Sequence, residues 1–197
     1  MYLRLLEYKD APQMLEWMHD LSVVEYLQTD FSTKTLTDCM NFICNSRVDT
    51  SNLHMAIADD NDEYLGTVSL KNSNYFSAEF AITVRTSAMG KGISRDAMEK
   101  ILDIGFESIE LDYIYWCVSP ENKRAVRFYD KNGYHRVSPD PLNMEGDSEE
   151  QIQSYYWYLI TREERRNRVS EKIRRAYWIT NQKSELNMDV LFLLSIA

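Results

Sequence analysis

Two short stretches of this chain combine residue types with a spacing that could do chemistry. The first is Gly90-Lys91-Gly92, which runs directly into a segment with Ile93, Ala97, Ile101 and Ile104 at helical spacing. Ser94, Arg95, Asp96, Glu99, Lys100 and Asp103 fill the other face of that segment. A helix N-terminus offers free N–H groups and the positive end of the helix dipole, and glycines remove the Cβ atoms that would keep a phosphate away. Taken alone the fragment is more often a plain turn. It is neither a P-loop, which needs Gly-Lys followed by Ser or Thr, nor a Gly-x-Gly-x-x-Gly turn.

The second stretch lies about thirty residues on: Asn122-x-x-Ala125-x-x-x-Tyr129-x-x-x-Gly133-Tyr134. Tyr129 follows Asn122 by two helical turns, so the two side chains share a face. A phenol there can donate a proton to a leaving group, or can simply pack as a helical aromatic. Asn122 can bind a ligand, cap the helix, or do both.

These stretches need elements to hold them. Tyr2–Glu7 reads as a strand, followed by a helix capped by Asp10 with Pro12 in its first turn and Met14, Leu15, Met18 and Leu21 along one face. Thr35–Arg47 reads as a second helix with Leu36, Cys39, Met40, Ile43 and Cys44 apolar. His54–Ala58 and Tyr64–Leu70 form a hairpin about the polar turn Asp59–Asp62, and Tyr75–Val84 adds a third strand. In that strand Ala78, Phe80, Ile82 and Val84 face one way, and Ser77, Glu79 and Thr83 the other. Tyr113–Val118 shows almost no alternation and reads as a strand buried on both faces. Lys123–Lys131 is a short helix closed by Asn132-Gly133, Tyr134–Val137 and Ser154–Ile160 are the last strands, and 138–153 is an acidic loop.

With both stretches placed, the sequence resembles the GNAT superfamily of acetyl-CoA-dependent N-acetyltransferases, over residues 1 to about 160. Gly90-x-Gly92 is similar to the core of that family's pyrophosphate motif, and Asn122 to Tyr134 to its downstream helix. The opening Leu3-Arg4-Leu5 with Asp10 and Leu15-Glu16-Trp17 resembles the branch of ribosomal-protein N-terminal acetyltransferases. Ser77-Ala78-Glu79-Phe80 followed by Gly90-Lys91-Gly92 is similar to bacterial spermidine N-acetyltransferases. The family's Gln or Arg three residues before the first glycine is Ser87 here, which removes a side-chain contact rather than the main-chain amides.

The resemblance implies an α/β (α+β) fold, a mixed, mostly antiparallel sheet of six to seven strands with helices on both faces and a C-terminal helical extension. It implies acetyl-CoA as co-substrate, with no metal, held by Ile82, Val84, Met89, Gly90, Lys91, Gly92, Ile93, Ser94, Asn122 and Ala125. It further implies that acetyl passes directly to a primary amine (a polyamine, a peptide or protein N-terminus, or another small amine), with Tyr129 protonating the departing thiolate. Glu79 stands as the general base, directly or through water, or as a plain strand glutamate. The alternative is a catalytically weak member of the fold that senses CoA or serves as a scaffold.

Charge narrows the partners. Residues 1–160 hold 26 acidic and 14 basic side chains, a balance of −12, and residues 161–197 hold 5 and 8, a balance of +3. An acidic body repels nucleic acid and attracts cationic amines; Asp59–Glu63 and Glu145–Glu150 are candidates for the rim of an amine site. Cys39, Cys44 and Cys117 cannot all pair and show no zinc spacing, so a reduced, cytoplasmic, metal-free protein off the membrane is expected. His19, His54 and His135 are isolated and read as structural, and Cys117 as a core residue. Domain boundaries are expected at 1–160 and 161–197. In the second part Val169, Ile173, Ala176 and Tyr177 make an apolar stripe on a basic helix, and Val190–Leu194 is an apolar run. Both are expected to pack on the acidic body or at the interface of a homodimer or larger assembly.

Overall fold

The computed structural model describes residues 1–139 and 149–175, with the backbone alone at 149–151. It divides into two compact units, Met1–Ile160 and Thr161–Ala197. In the first, a seven-stranded sheet runs β1 (Tyr2–Leu5), β2 (Leu53–Ala58), β3 (Tyr64–Lys71), β4 (Ser77–Val84), β5 (Tyr113–Val118), β7 (Tyr156–Thr161) and β6 (His135–Val137) in spatial order. The β1–β4 meander is antiparallel throughout, β4 and β5 are parallel, and β6 pairs antiparallel with β7. The expected mixed, mostly antiparallel sheet is therefore present.

Strand alternation divides the core in two. One face carries Ile57, Val68, Leu70, Ala78, Phe80, Ile114 and Trp116. Ala97, Met98, Ile101 and Leu102 of α4 (Ile93–Asp103) and Tyr129 of α5 (Lys123–Lys131) pack on that side. The opposite face buries Ala56 and Tyr64 against Met14, Trp17 and Met18 of α1 (Ala11–Met18), Val23 of the single turn α2 (Leu21–Val24), and Cys39 and Ile43 of α3 (Leu36–Ser46). On α3 only those two of the five expected apolar residues are buried. The start of α3 is set by a capping box, with the Thr35 hydroxyl accepting from the Asp38 amide at 3.3 Å and the Asp38 carboxylate from the Thr35 amide at 2.8 Å.

Asp10 makes no side-chain cap on α1. Its buried carboxylate instead takes a forked ion pair from Arg4 at 2.7 and 2.8 Å and the Glu7 amide at 2.9 Å. A helical turn α6 (Glu149–Ser154) occupies part of the stretch read as loop. β5 is not featureless: Ile114, Trp116 and Val118 are buried while Tyr113, Tyr115 and Cys117 are half-buried, so large aromatics masked a regular alternation. In the second unit the backbone is helical through 162–175. Ala176, Tyr177, the Val190–Leu194 run and most of Glu145–Glu150 lie outside the described residues.

Candidate active site

The sheet is opened at its centre. β4 and β5 pair only as Ser77↔Tyr113, Ala78↔Ile114 and Glu79↔Tyr115, after which β4 continues to Val84 and β5 to Val118 without a partner across the gap. Main-chain N–H and C=O groups along Phe80–Val84 therefore face an opening, an arrangement that can take an extended ligand as if it were a further strand. Gly66 keeps β3 tight against this segment, since a Cβ there would stand 2.3 Å from the Thr83 carbonyl oxygen.

A cavity of about 490 Å³ sits at the gap, between the sheet and α1–α3. Thr67, Ser69 and Lys71 of β3, and Glu79, Ala81 and Thr83 of β4 form its floor. Because the strands part, it also reaches Phe80 and Ile82 and, on the α5 side, Asn122, Ala125 and Tyr129. Trp17, Phe31 and Phe42 supply apolar wall. The structure thus brings Glu79, Ile82, Asn122, Ala125 and Tyr129 to one space.

The remaining expected residues lie on the loop beyond β4. Val84 is buried in the core, while Gly90 and Lys91 are exposed. Gly90 and Gly92 have φ of +75° and +79°, where a side chain is strained, and a Cβ at either would project into open space. α4 starts at Ile93 with Gly92 as an N-cap lacking a side-chain acceptor, and the Ile93 and Ser94 amides have no acceptor among the described residues. Open glycine backbone at the start of an eleven-residue helix fits a pyrophosphate. Arg124 of α5 reaches Met89 beside this loop, 2.7 Å from its sulfur, which places a cation next to a loop whose Ser87 carries none. That proximity comes from the packing of α5 and leaves no signal in the local sequence.

Tyr129 is buried among aromatic rings, with ring centres 5.2 Å from Trp116, Tyr158 and Phe128. Its hydroxyl has no protein partner among the described residues, and burial raises its pKa well above the usual phenol value, so it stays protonated. The Asn122 side-chain Oδ1 accepts from the Ala125 backbone N–H at 3.0 Å, so the capping role is present alongside its place on the cavity. Glu79 is half-buried, paired with Lys71 at 3.0 Å and accepting from the Asn72 side-chain Nδ2 at 3.2 Å.

The acidic rim expected at Asp59–Glu63 is not part of this cavity. Asp60 pairs with the N-terminal amine, Asp62 with Arg4 and Lys9, and Glu63 with Arg85. Among the described residues the charged side chains that line the cavity are Lys34, Lys71, Asp38 and Glu79, two of each sign. His54 and Cys117, expected to be structural, also line it. Both sit at alternate-strand positions on the cavity face, which the period-two pattern of β2 carries and that of β5 conceals.

Comparison with known proteins gives a consistent kinship. Residues 1–135 match the family model described as an acetyltransferase (GNAT) domain. The spermidine N(1)-acetyltransferase of Vibrio cholerae serotype O1 is 33% identical over 88 residues, covering 44% of this chain and about half, 51%, of that protein. An aminoglycoside N(6')-acetyltransferase type 1 of Klebsiella pneumoniae is 25% identical over 147 residues, covering 68% of this chain and 73% of that protein. Among solved structures, a spermidine N-acetyltransferase from Vibrio cholerae in complex with CoA and spermine superposes with a TM-score of 0.69 at 23% identity. It covers 83% of this chain and 96% of that one, a likeness of fold.

Proposed function

Because the chain belongs to the GNAT acetyltransferase family, we propose that it transfers the acetyl group of acetyl-CoA to a primary amine held in the cavity, with a polyamine as the acceptor. The observation that carries this reading is the opening between β4 and β5, which joins the cavity holding Glu79 to the face holding Tyr129. Acetyl-CoA, as bound co-substrate, supplies an activated thioester. The amides of Ile93 and Ser94 with the open backbone of Gly90 and Gly92 hold its pyrophosphate, and the edge of Phe80–Val84 that faces the gap, opposite its pairing with β3, holds its amide-bearing arm. Most of the catalytic effect then comes from fixing amine and thioester in one orientation. The Tyr129 hydroxyl, neutral and without a partner among the described residues, donates a proton to the departing thiolate. Glu79, beside Lys71 on the cavity floor, offers carboxylate oxygens to the ammonium form of the substrate.

The polyamine assignment rests on the spermidine acetyltransferase relatives and the net charge of −9; the balanced charges in the cavity leave aminoglycosides as the second acceptor class, on the aminoglycoside relative. A homodimer or larger assembly is part of the proposal, on the opposite charge of residues 161–197 and the body. The test is steady-state thiol release from acetyl-CoA over polyamines, aminoglycosides, amino acids and peptides. Spermidine or spermine should give the highest kcat/KM. An aminoglycoside ahead by orders of magnitude would overturn the acceptor class, and silence across the whole panel the enzymatic reading.

A further inference from the structure

An amine reaches the cavity largely as an ammonium ion and must lose a proton before its nitrogen can attack, yet Glu79 is committed to Lys71 and Asn72. Another acceptor stands across the sheet. His54 of β2 is paired in register with Ser69 of β3, and Ser69 in turn with Ala81 of β4. All three side chains face the cavity. The His54 Nδ1 and the Ser69 hydroxyl lie 2.7 Å apart, the Phe42 ring packs against the imidazole with centres 4.7 Å apart and planes tilted by 57°, and Ser69 is 5% exposed. Ala81 ends in a methyl group, so the floor between Ser69 and the open edge of β4 is clear, a width of one strand spacing, about 4.8 Å. A substrate nitrogen standing over Ala81 has the gap on one side and the Ser69 hydroxyl on the other.

Resting on the acetyl-transfer reading above, we propose that Ser69 and His54 form the proton relay that deprotonates the substrate amine. As the ammonium N–H proton passes to the Ser69 oxygen, the Ser69 proton passes to His54 Nδ1, which leaves an imidazolium ion, an intact serine and a free amine. The amine nitrogen bonds to the carbonyl carbon, the carbon–sulfur bond breaks, and the thiolate takes its proton from Tyr129. Tyr129 recovers a proton from the nitrogen through solvent, and the imidazolium releases the other to bulk water. Burial holds the His54 pKa below the ordinary imidazole value, with Lys71 adding to the effect and Asp49 opposing it, so the ring is neutral at pH 7 and ready to accept. Charged groups facing it are Asp49 before β2, Lys71 on β3, Glu79 on β4, and Lys34 and Asp38 on the α3 side of the cavity.

Ser69→Ala, His54→Gln and their double variant are compared with the parent protein for thiol release, acetyl-CoA affinity and pH profile. The relay predicts that each single variant loses about 10²-fold in kcat with acetyl-CoA affinity retained, and that the double variant loses little more. It further predicts a parent rate that levels off near neutral pH, whereas the variants' rates keep rising toward the amine's own pKa of about 10. Full turnover with an unaltered pH profile in either variant overturns the relay, as does parallel loss of turnover, affinity and melting temperature, the mark of a structural role. An inactive parent counts against the acetyl-transfer reading instead, and the relay then stands or falls on the imidazole nitrogen NMR spectrum. Neutral His54 with its proton on Nε2, shifting tautomer in Ser69→Ala, supports it; a proton on Nδ1 overturns it.

Discussion

Replacing Tyr129 by Phe separates the proton-donor role from the packing role. The ring would keep its contacts with Trp116, Tyr158 and Phe128, each at 5.2 Å, because none of them involves the hydroxyl. That hydroxyl has no protein partner to lose among the described residues, so stability should stay within about 0.5 kcal/mol of the parent. Turnover is another matter. A positioned acid contributes about 10²–10⁴-fold, which is about 2.7–5.4 kcal/mol of barrier. Because the raised pKa keeps the phenol protonated, the loss should be the same throughout the neutral range, with no limb of the pH profile disappearing. Steady-state thiol release gives kcat, calorimetry with CoA gives affinity, and a thermal scan gives stability. An unchanged kcat would assign the proton to water, and a collapse of melting temperature would mean that the hydroxyl is structural. Either result refutes the role.

Other perturbations give equally specific expectations. Gly92→Val should raise the dissociation constant for CoA but not for pantetheine, because its side chain enters the open space above a helix start at φ +79°; calorimetry giving equal weakening of both would contradict the phosphate role. Gly66→Ala should destabilise the fold by roughly 3 kcal/mol in chemical denaturation, since its Cβ would meet the Thr83 carbonyl at 2.3 Å. Arg85→Met should cost about 1–3 kcal/mol, because the buried guanidinium bonds Glu16 at 2.8 Å, Glu63 at 2.9 Å and the Tyr64 carbonyl at 3.0 Å while both carboxylates remain half in water. Asp62 is held well below the usual carboxylate pKa by hydrogen bonds from Lys9, Tyr2 and Arg4. Its contribution should be complete above about pH 4 and be lost only as pH falls through the depressed folded-state pKa, so thermal scans should find Asp62→Asn less stable than the parent at pH 7, with the gap narrowing below about pH 4 but still open at about pH 3.

The meander, the glycine loop and α5 were legible because each is encoded locally, by alternation, by a change of period and by an N-cap spacing. Glu79, Tyr129 and Asn122 could be named from the same local signals and from the family resemblance. The opening of the sheet was not legible from composition or periodicity. It depends on where β4 and β5 stop pairing, after Glu79↔Tyr115, and no single residue marks that point. His54 and Ser69 are fifteen positions apart and meet only through the β2–β3 register, which includes a shift at Ile57/Ala58. Cys117 read as core because the aromatics of β5 hid an alternation that the structure makes plain. Asp59–Glu63 read as a rim for cations; folding instead spent its charges on Arg4, Lys9, Arg85 and the chain's first amine.

Direct acetyl transfer to an amine in the cavity at the β4–β5 opening would leave the acetyl carbon on the amine and nowhere else. Acetyl-CoA carrying a ¹³C-labelled acetyl group, incubated with the protein and spermidine and followed by NMR alongside thiol release, tests it most directly. Labelled N-acetylspermidine should form in one-to-one yield with free CoA, with no label on the protein. Release of labelled acetate alone, or no turnover at all while acetyl-CoA is bound, would contradict it.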